Sequence, residues 1–276
     1  DTSVARKSSR PFVMDPKTPL DRAYAEMQAA PDDEAQRLRF FERVADSELF
    51  LLLSKEPDGN DISPEVFAPE GGEVVLAFDT EDRLVDFTGK PSPYVALSGR
   101  SLVHMLCEKG LGLGLNFGIE TSEILLANDA LNWLASVLDQ NPDEIKALPV
   151  AFNAPKNIPE ILLKALDAKL VSVVGMVEQV WLTGVTYEDG QIGHILGFVG
   201  AKAEAEKALA KAAHEALTFS GLEAGTLDVG FFDPDEPTVD AIARHGISFE
   251  LPQTPKVGLD PPKPPGSDPN FPPKLK

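Results

Sequence analysis

Proline sets the limits of what this chain can fold into. Nine of the 25 residues from Pro252 to Lys276 are proline. Each fixes φ and removes a backbone donor, so neither a helix nor a central strand can run through the segment. It must be extended, largely polyproline II, with a maximum reach of roughly 75 Å at ~3.1 Å per residue. A second break runs from Pro142 to Pro159 and contains Pro149 and Pro155. Regular structure is thereby confined to two blocks, residues 18–142 and 159–251, joined by a linker over 143–158. An N-terminal arm over 1–17 and a Pro-rich tail over 252–276 flank them.

Within the blocks, hydrophobic period separates helices from strands. Thr18-Pro19-Leu20 opens a helix, with Thr18 as N-cap and Pro19 at its first position. Leu38, Phe41 and Ala45 recur at helical spacing over 34–46, and the continuous run 48–53 suits a strand buried on both faces. Glu73–Phe78 and Leu84–Phe87, separated by Asp79-Thr80-Glu81-Asp82, read as a hairpin. A strand at Tyr94–Leu97, a helix from Ser98 to Lys109 stopped by Gly110, strands at 111–117 and 123–127 and a helix at 129–139 complete the first block. The second block reads as a helix over 159–170 and strands at 178–187 and 191–199 about the Asp189-Gly190 turn. A helix over 202–218, a strand at 227–232, a helix at 236–245 and a strand at 247–251 follow. The expected fold class is α/β (α+β): two tandem mixed-sheet domains with helices packed on the sheets, plus the extended tail.

Charge narrows the partners. The chain has a formal net charge of −19, yet the arm and the tail each carry +2, which leaves −23 on residues 18–251. Such a body repels phosphate backbones and anionic lipid, so nucleic acid and membrane are not expected partners. No apolar run approaches the ~20 residues of a membrane span, and no apolar stretch follows the basic start to make a secretory signal. The first residue is Asp rather than Met, which reads as trimming or processing. A single cysteine, Cys107, forms no internal disulfide and fits a reducing cytoplasm.

No complete catalytic constellation is visible. Gly110–Gly118 invites a phosphate-loop reading but has no Gly-Lys-Ser/Thr ending, and no G-x-G-x-x-G can be drawn through it. Its period is two: Leu111, Leu113, Leu115 and Phe117 share one face, and Gly112, Gly114, Asn116 and Gly118 the other. That bare face admits the close approach of a helix, a backbone or a partner. His104 and Cys107 are neighbours on one helix face, which reads as a buried thiol beside a satisfied histidine; a zinc site needs further ligands that the sequence lacks. His194 falls in a strand, His214 on an Ala-rich helix and His245 at a helix C-terminus, where the dipole suits it. Asp32-Asp33-Glu34 reads as a helix cap, Glu81-Asp82 as a turn, and Trp133 and Trp181 as core residues. The tail carries overlapping P-x-x-P matches in Pro261-Pro262-Lys263-Pro264-Pro265, a form that docks in aromatic grooves.

Three stretches carry a family resemblance: Val75–Leu84, Val95–Leu102 and Gly112–Gly118. They resemble the phenylalanine-containing strand, the Gly-x-x-Leu helix start and the Leu-x-x-Asn-Pro-Gly strand end of the SseB family, named for enhanced serine sensitivity. Phe117 stands where the family pattern has proline. The resemblance covers Val74–Leu134, extends through the upstream helices, and weakens to a similar layout in the second block. It implies a bacterial cytoplasmic protein, with rhodanese-type sulfurtransferases as a suggested partner class.

The sequence thus reads as a non-catalytic interaction or regulatory protein with no cofactor and no metal. It docks on another protein through Gly112, Gly114, Asn116 and Gly118 or an adjoining face, and through Pro261, Pro262, Lys263, Pro264 and Pro265. The alternatives are a small-molecule sensor or enzyme with its site over strand 110–118, and a tail-mediated homo-oligomer.

Overall fold

A computed structural model describes residues 17–59, 61–69, 72–119, 121–140, 149–221 and 227–251. The first sheet contains β1 (Glu48–Leu52), β2 (Val66–Phe67), β3 (Val74–Phe78), β4 (Tyr94–Ser98), β5 (Gly112–Leu115) and β6 (Ile124–Leu126). Its order is β4-β1-β3-β5-β6, with β2 also on β3. Only β3 and β5 are parallel; the other pairs are antiparallel. Helices α1 (Pro19–Ala29), α2 (Glu34–Asp46), α4 (Gly99–Lys109) and α5 (Asn128–Leu138) belong with this sheet, as does α3 (Glu81–Thr88). The main core joins Leu49, Leu51, Val75, Ala77, Leu113 and Leu115 of the sheet to Leu20, Phe40, Val44, Leu102, Leu106, Leu131 and Leu134 of the helices. A smaller cluster of Leu52, Leu76, Phe78 and Leu84 places α3 on the opposite face. The uninterrupted apolar runs of β1 and β3 follow, because both faces are covered.

Local chemistry sets the helix ends. Thr18 accepts from Asp21 N at 3.1 Å while Asp21 accepts from Thr18 N at 3.2 Å, a reciprocal capping box ahead of Pro19. Asp33 Oδ1 accepts from Ala35 N and caps α2. Gly110 closes α4 in the left-handed conformation with φ 68°. The hairpin expected over 73–87 is instead strand β3 followed by α3. Thr80 caps the helix by accepting from Arg83 N at 3.3 Å, Glu81 and Asp82 fill its first turn, and Gly89 ends it at φ 65°. The acidic tetrapeptide that looks like a turn is an N-terminus, where carboxylates meet the positive end of the helix dipole.

The second sheet has the order β10-β9-β8-β11, with β7 also on β8. It is built from β7 (Pro149–Asn153), β8 (Gln179–Tyr187), β9 (Ile192–Val199), β10 (Asp228–Phe232) and β11 (Ile247–Phe249). Strands β8 and β9 form the expected hairpin, with Gly190 at φ 82°. Strands β9 and β10 are parallel, and α7 (Glu206–Phe219) lies between them in sequence. With α6 (Glu160–Leu170) it covers one face, where Leu166, Leu182, Leu196, Phe198 and Leu209 pack together. On α8 (Pro237–His245), Ile242 is fully buried. Strand β7 falls within the stretch read as linker. Prolines at 149 and 155 sit at its margins, a position an edge strand tolerates.

The close approach of α2 and α4 has a definite cause. A Cβ on Gly99 would lie 1.8 Å from Val44 O and 2.9 Å from Val44 C, and Gly99 N donates to Ser47 O at 2.8 Å. The glycine of the Gly-x-x-Leu pattern therefore seats one helix on the backbone of another, while Leu102 is fully buried beneath it. Replacing Gly99 by Ala forces backbone atoms apart and is expected to cost at least about 1–3 kcal/mol. Urea unfolding of the variant should show a lower midpoint, and an unchanged midpoint would contradict this packing.

Candidate functional site

The glycine-faced strand leads to a buried polar network. Gly112 and Gly114 are buried, and neither has open space above it. A Cβ on Gly112 would meet Leu126 O at 2.9 Å and Val74 Cγ1 at 3.0 Å; one on Gly114 would meet Leu76 Cδ2 at 2.5 Å and Phe117 Cδ2 at 3.1 Å. The period-two expectation places Phe117 with the leucines, but its ring lies over Gly114 instead. Asn116 adopts φ 51° and breaks the alternation, which swings Phe117 to the glycine side with Leu76 and Phe78.

Asn116 is itself fully buried. It accepts from Asp79 N at 3.0 Å and donates to Ser122 Oγ at 2.8 Å. Beside it Arg83 forks onto Asp21, at 2.9 and 2.6 Å, and reaches Asp79 Oδ1 at 2.7 Å; Thr18 donates to Asp79 Oδ2 at 2.5 Å. Burial alone would raise the pKa of Asp21, but the hydrogen bonds from Arg83, Ser122 and Lys17 N outweigh it and hold the carboxyl far below its usual range. This network ties α1 and α3 to the C-terminal ends of β3 and β5. The sequence announces only the Thr18 cap; the Arg83–Asp21 pair spans 62 positions.

A second network lies between the two blocks. Lys169 of α6, with a side chain only 8% exposed, stands 2.5 Å from Asp46, 3.2 Å from Glu42 and 3.3 Å from Glu215. Arg100 of α4 forks onto Glu215 of α7 at 2.7 and 2.6 Å and reaches Asp46 at 2.6 Å. Phe219 of α7 enters the first block's core, with Lys169 Nζ 6.0 Å from its ring centre. Two cations thus face three carboxylates. Burial raises Glu42, and the attraction of Lys169, 3.2 Å from its Oε1, offsets that only in part. Burial opposes ionisation of Asp46 and Glu215 too, yet Lys169 and Arg100 prevail and lower both.

The remaining candidates are scattered. His104 lies 3.5 Å from Asp139 and Cys107 is half-buried, its thiol pushed up first by burial and then by the charge of Asp139. His194 faces Lys156 O at 3.0 Å and His214 faces Gln140 at 3.4 Å, so the histidines occupy separate places. Among the described residues no cluster of His, Cys, Asp or Glu is arranged to hold a metal ion, and no helix is long and apolar enough to cross a membrane. Pro261, Pro262, Lys263, Pro264 and Pro265 lie outside the described residues.

Trp133, expected in the core, is 39% exposed. It stands edge-to-face with Phe41 at 5.2 Å between ring centres, and the two rings with Leu38 and Ala130 line an open groove of about 360 Å³ between α2 and α5. Glu34 and Arg37 form its rim. Trp133 looks like a core residue in a period count because a part-exposed aromatic at the margin of the apolar face and a core aromatic share the same spacing on α5.

The inter-block cluster has opposite consequences for its members. Lys169→Met removes one of two cations and leaves buried carboxylates uncompensated; a loss of about 3–5 kcal/mol is expected in denaturant unfolding. Glu42→Gln removes the carboxylate that burial disfavours. Because the folded pKa of Glu42 is raised, the folded state favours its protonated form. That contribution is present below the ordinary value of 4.5 and lost as pH rises through the folded pKa. Glu42→Gln is therefore expected to raise the thermal midpoint at neutral pH and to be nearly silent below 4.5. A lower midpoint at neutral pH would show that Lys169 needs this partner charge.

No curated protein and no solved structure matches the chain. Residues 20–133 match the family model described as SseB protein N-terminal domain. That span runs from the start of α1 to Trp133, through Gly99, Asn116 and the Arg83 network. By that match, residues 20–133 are an SseB-type N-terminal domain.

Proposed function

We propose that this protein is a non-catalytic cytoplasmic protein of the SseB type that regulates another protein by docking on it. The observation that supports the reading is the groove between α2 and α5. Trp133 and Phe41 offer an aromatic contact at small cost in side-chain entropy, and aromatic anchors of this kind carry much of the binding energy where they are seated in a pocket. On the rim Glu34, with its side chain 75% exposed, pairs with Arg37, and the exposed Asp33 and Asp32 precede it in the chain and leave this end of α2 net acidic. The partner segment that fits is extended, apolar and basic. By contrast, the glycine strand is covered by this chain's own Leu76 and Phe117, and the charged groups of both networks are committed to one another. A rhodanese-type sulfurtransferase is the first partner to test, on the ground of family resemblance.

The test is affinity capture with the full chain and with Trp133→Ala, followed by titration calorimetry with the purified captured protein. A specific partner is expected to bind the full chain and to lose at least about 2 kcal/mol, roughly 30-fold, to Trp133→Ala, while circular dichroism stays unchanged. Equal affinity for both proteins would remove this face from the docking model.

A further inference from the structure

We propose that the α2/α5 groove seats this chain's own Pro-rich segment, residues 252–276. The inference rests on the reading of that groove as a docking surface and names its resident occupant.

Three observations converge. The first is shape and polarity. A polyproline II strand has no internal hydrogen bonds, so its carbonyls need donors and its proline rings need flat apolar partners. The groove supplies the edge-to-face pair of Trp133 and Phe41 with Leu38 and Ala130, and the indole N–H of Trp133 has no hydrogen-bond partner among the described residues. Aromatic grooves bind such segments because the ligand is already ordered and gives up little entropy on docking. The second is charge. Residues 252–276 carry a net +2, and residues 18–251 carry −23. Lys263, set between two proline pairs, suits a rim on which Glu34 is paired, among the described residues, with Arg37 at 3.4 Å. Exposed pairs of that kind hold a carboxylate weakly, so Glu34 is free to exchange partners.

The third is reach. Lys263 lies twelve residues beyond Leu251, a tether of up to roughly 37 Å at ~3.1 Å per residue. A folded body of this size has a radius of gyration of roughly 18 Å, so the tether covers about two such radii of the surface beyond Leu251. A tether of this length also raises the local concentration of the segment far above that of free chains, which favours the intramolecular contact over one between copies.

The experiment is fluorine NMR on the full chain labelled with 5-fluorotryptophan. The chain has two tryptophans, and Trp181→Phe assigns the two resonances. The full chain is compared with a variant in which Pro261, Pro262, Pro264 and Pro265 are all replaced by Ala. The Trp133 resonance is expected to shift in the variant and to gain solvent exposure by acrylamide quenching, while Trp181 stays in place. A synthetic peptide of residues 252–276 added to the variant should return the Trp133 resonance saturably, and Lys263→Glu in that peptide should weaken the return. An unmoved Trp133 resonance together with no response to the peptide would overturn the proposal. Light scattering is expected to find the full chain monomeric; a dimer lost on the proline substitutions would overturn the intramolecular seating in favour of a second copy. A partner that needs Trp133 while the tail leaves it unmoved would sink this inference and leave the docking reading standing. A tail that moves Trp133 while no partner needs that residue would do the reverse.

Discussion

The arrangement of this molecule depends on how a few charges are kept out of water. Lys169 reaches from α6 into a space bounded by α2, α4 and α7, where Glu42, Asp46 and Glu215 meet it and Arg100 completes the set. Desolvation works against every one of these groups. Mutual attraction offsets that cost only in one relative placement of the helices, because ion pairs at 2.5–3.3 Å lose much of their strength when displaced. Apolar packing between the blocks, with Phe219 in the first core, is less demanding about orientation. The ionic cluster therefore adds orientation to an interface that hydrophobic contact brings together.

The network around Arg83 does similar work within the first block. It fixes the entry of α1 and the start of α3 against the ends of the parallel strands β3 and β5. Ligands of open α/β sheets commonly bind at such strand ends. Here the donors and acceptors answer one another: Asn116 to Asp79 N and Ser122, Arg83 to Asp21 and Asp79, Thr18 to Asp79. A carboxylate held as far into its ionised range as Asp21 suits an ion pair and is poorly placed to act as a proton donor. Trp133, by contrast, faces outward beside Phe41 between α5 and α2.

Much of the fold is legible because its signals are local. Thr18 and Asp33 cap helices, Gly110 stops one, and Asp189-Gly190 turns a hairpin; each acts within a few residues of itself. The segment 79–87 is misread for a related reason. An acidic N-terminal turn and an acidic loop have the same composition, and only the tertiary seat of Leu84 beside Leu76 and Phe78 makes it a helix. Strand β7 is hidden by the prolines of the joint, since an edge position forgives what a central one would not. The aromatic groove leaves a weaker trace, because Phe41 and Trp133 belong to different helices and each alone resembles a core residue.

By itself the sequence determined the segments: the alternation of helices and strands, the proline-bounded ends, the segregated charge and the motifs that belong to the SseB N-terminal domain. These follow from periodicity and backbone restrictions that reach only a few residues. Tertiary structure alone decided which charges are buried together, which aromatic faces outward and what covers the glycine strand. Arg100 and Glu215 are 115 positions apart and Lys169 and Asp46 are 123 apart. No short-range pattern encodes such a meeting, because it depends on the closure of two separate sheets and on the desolvation that closure imposes.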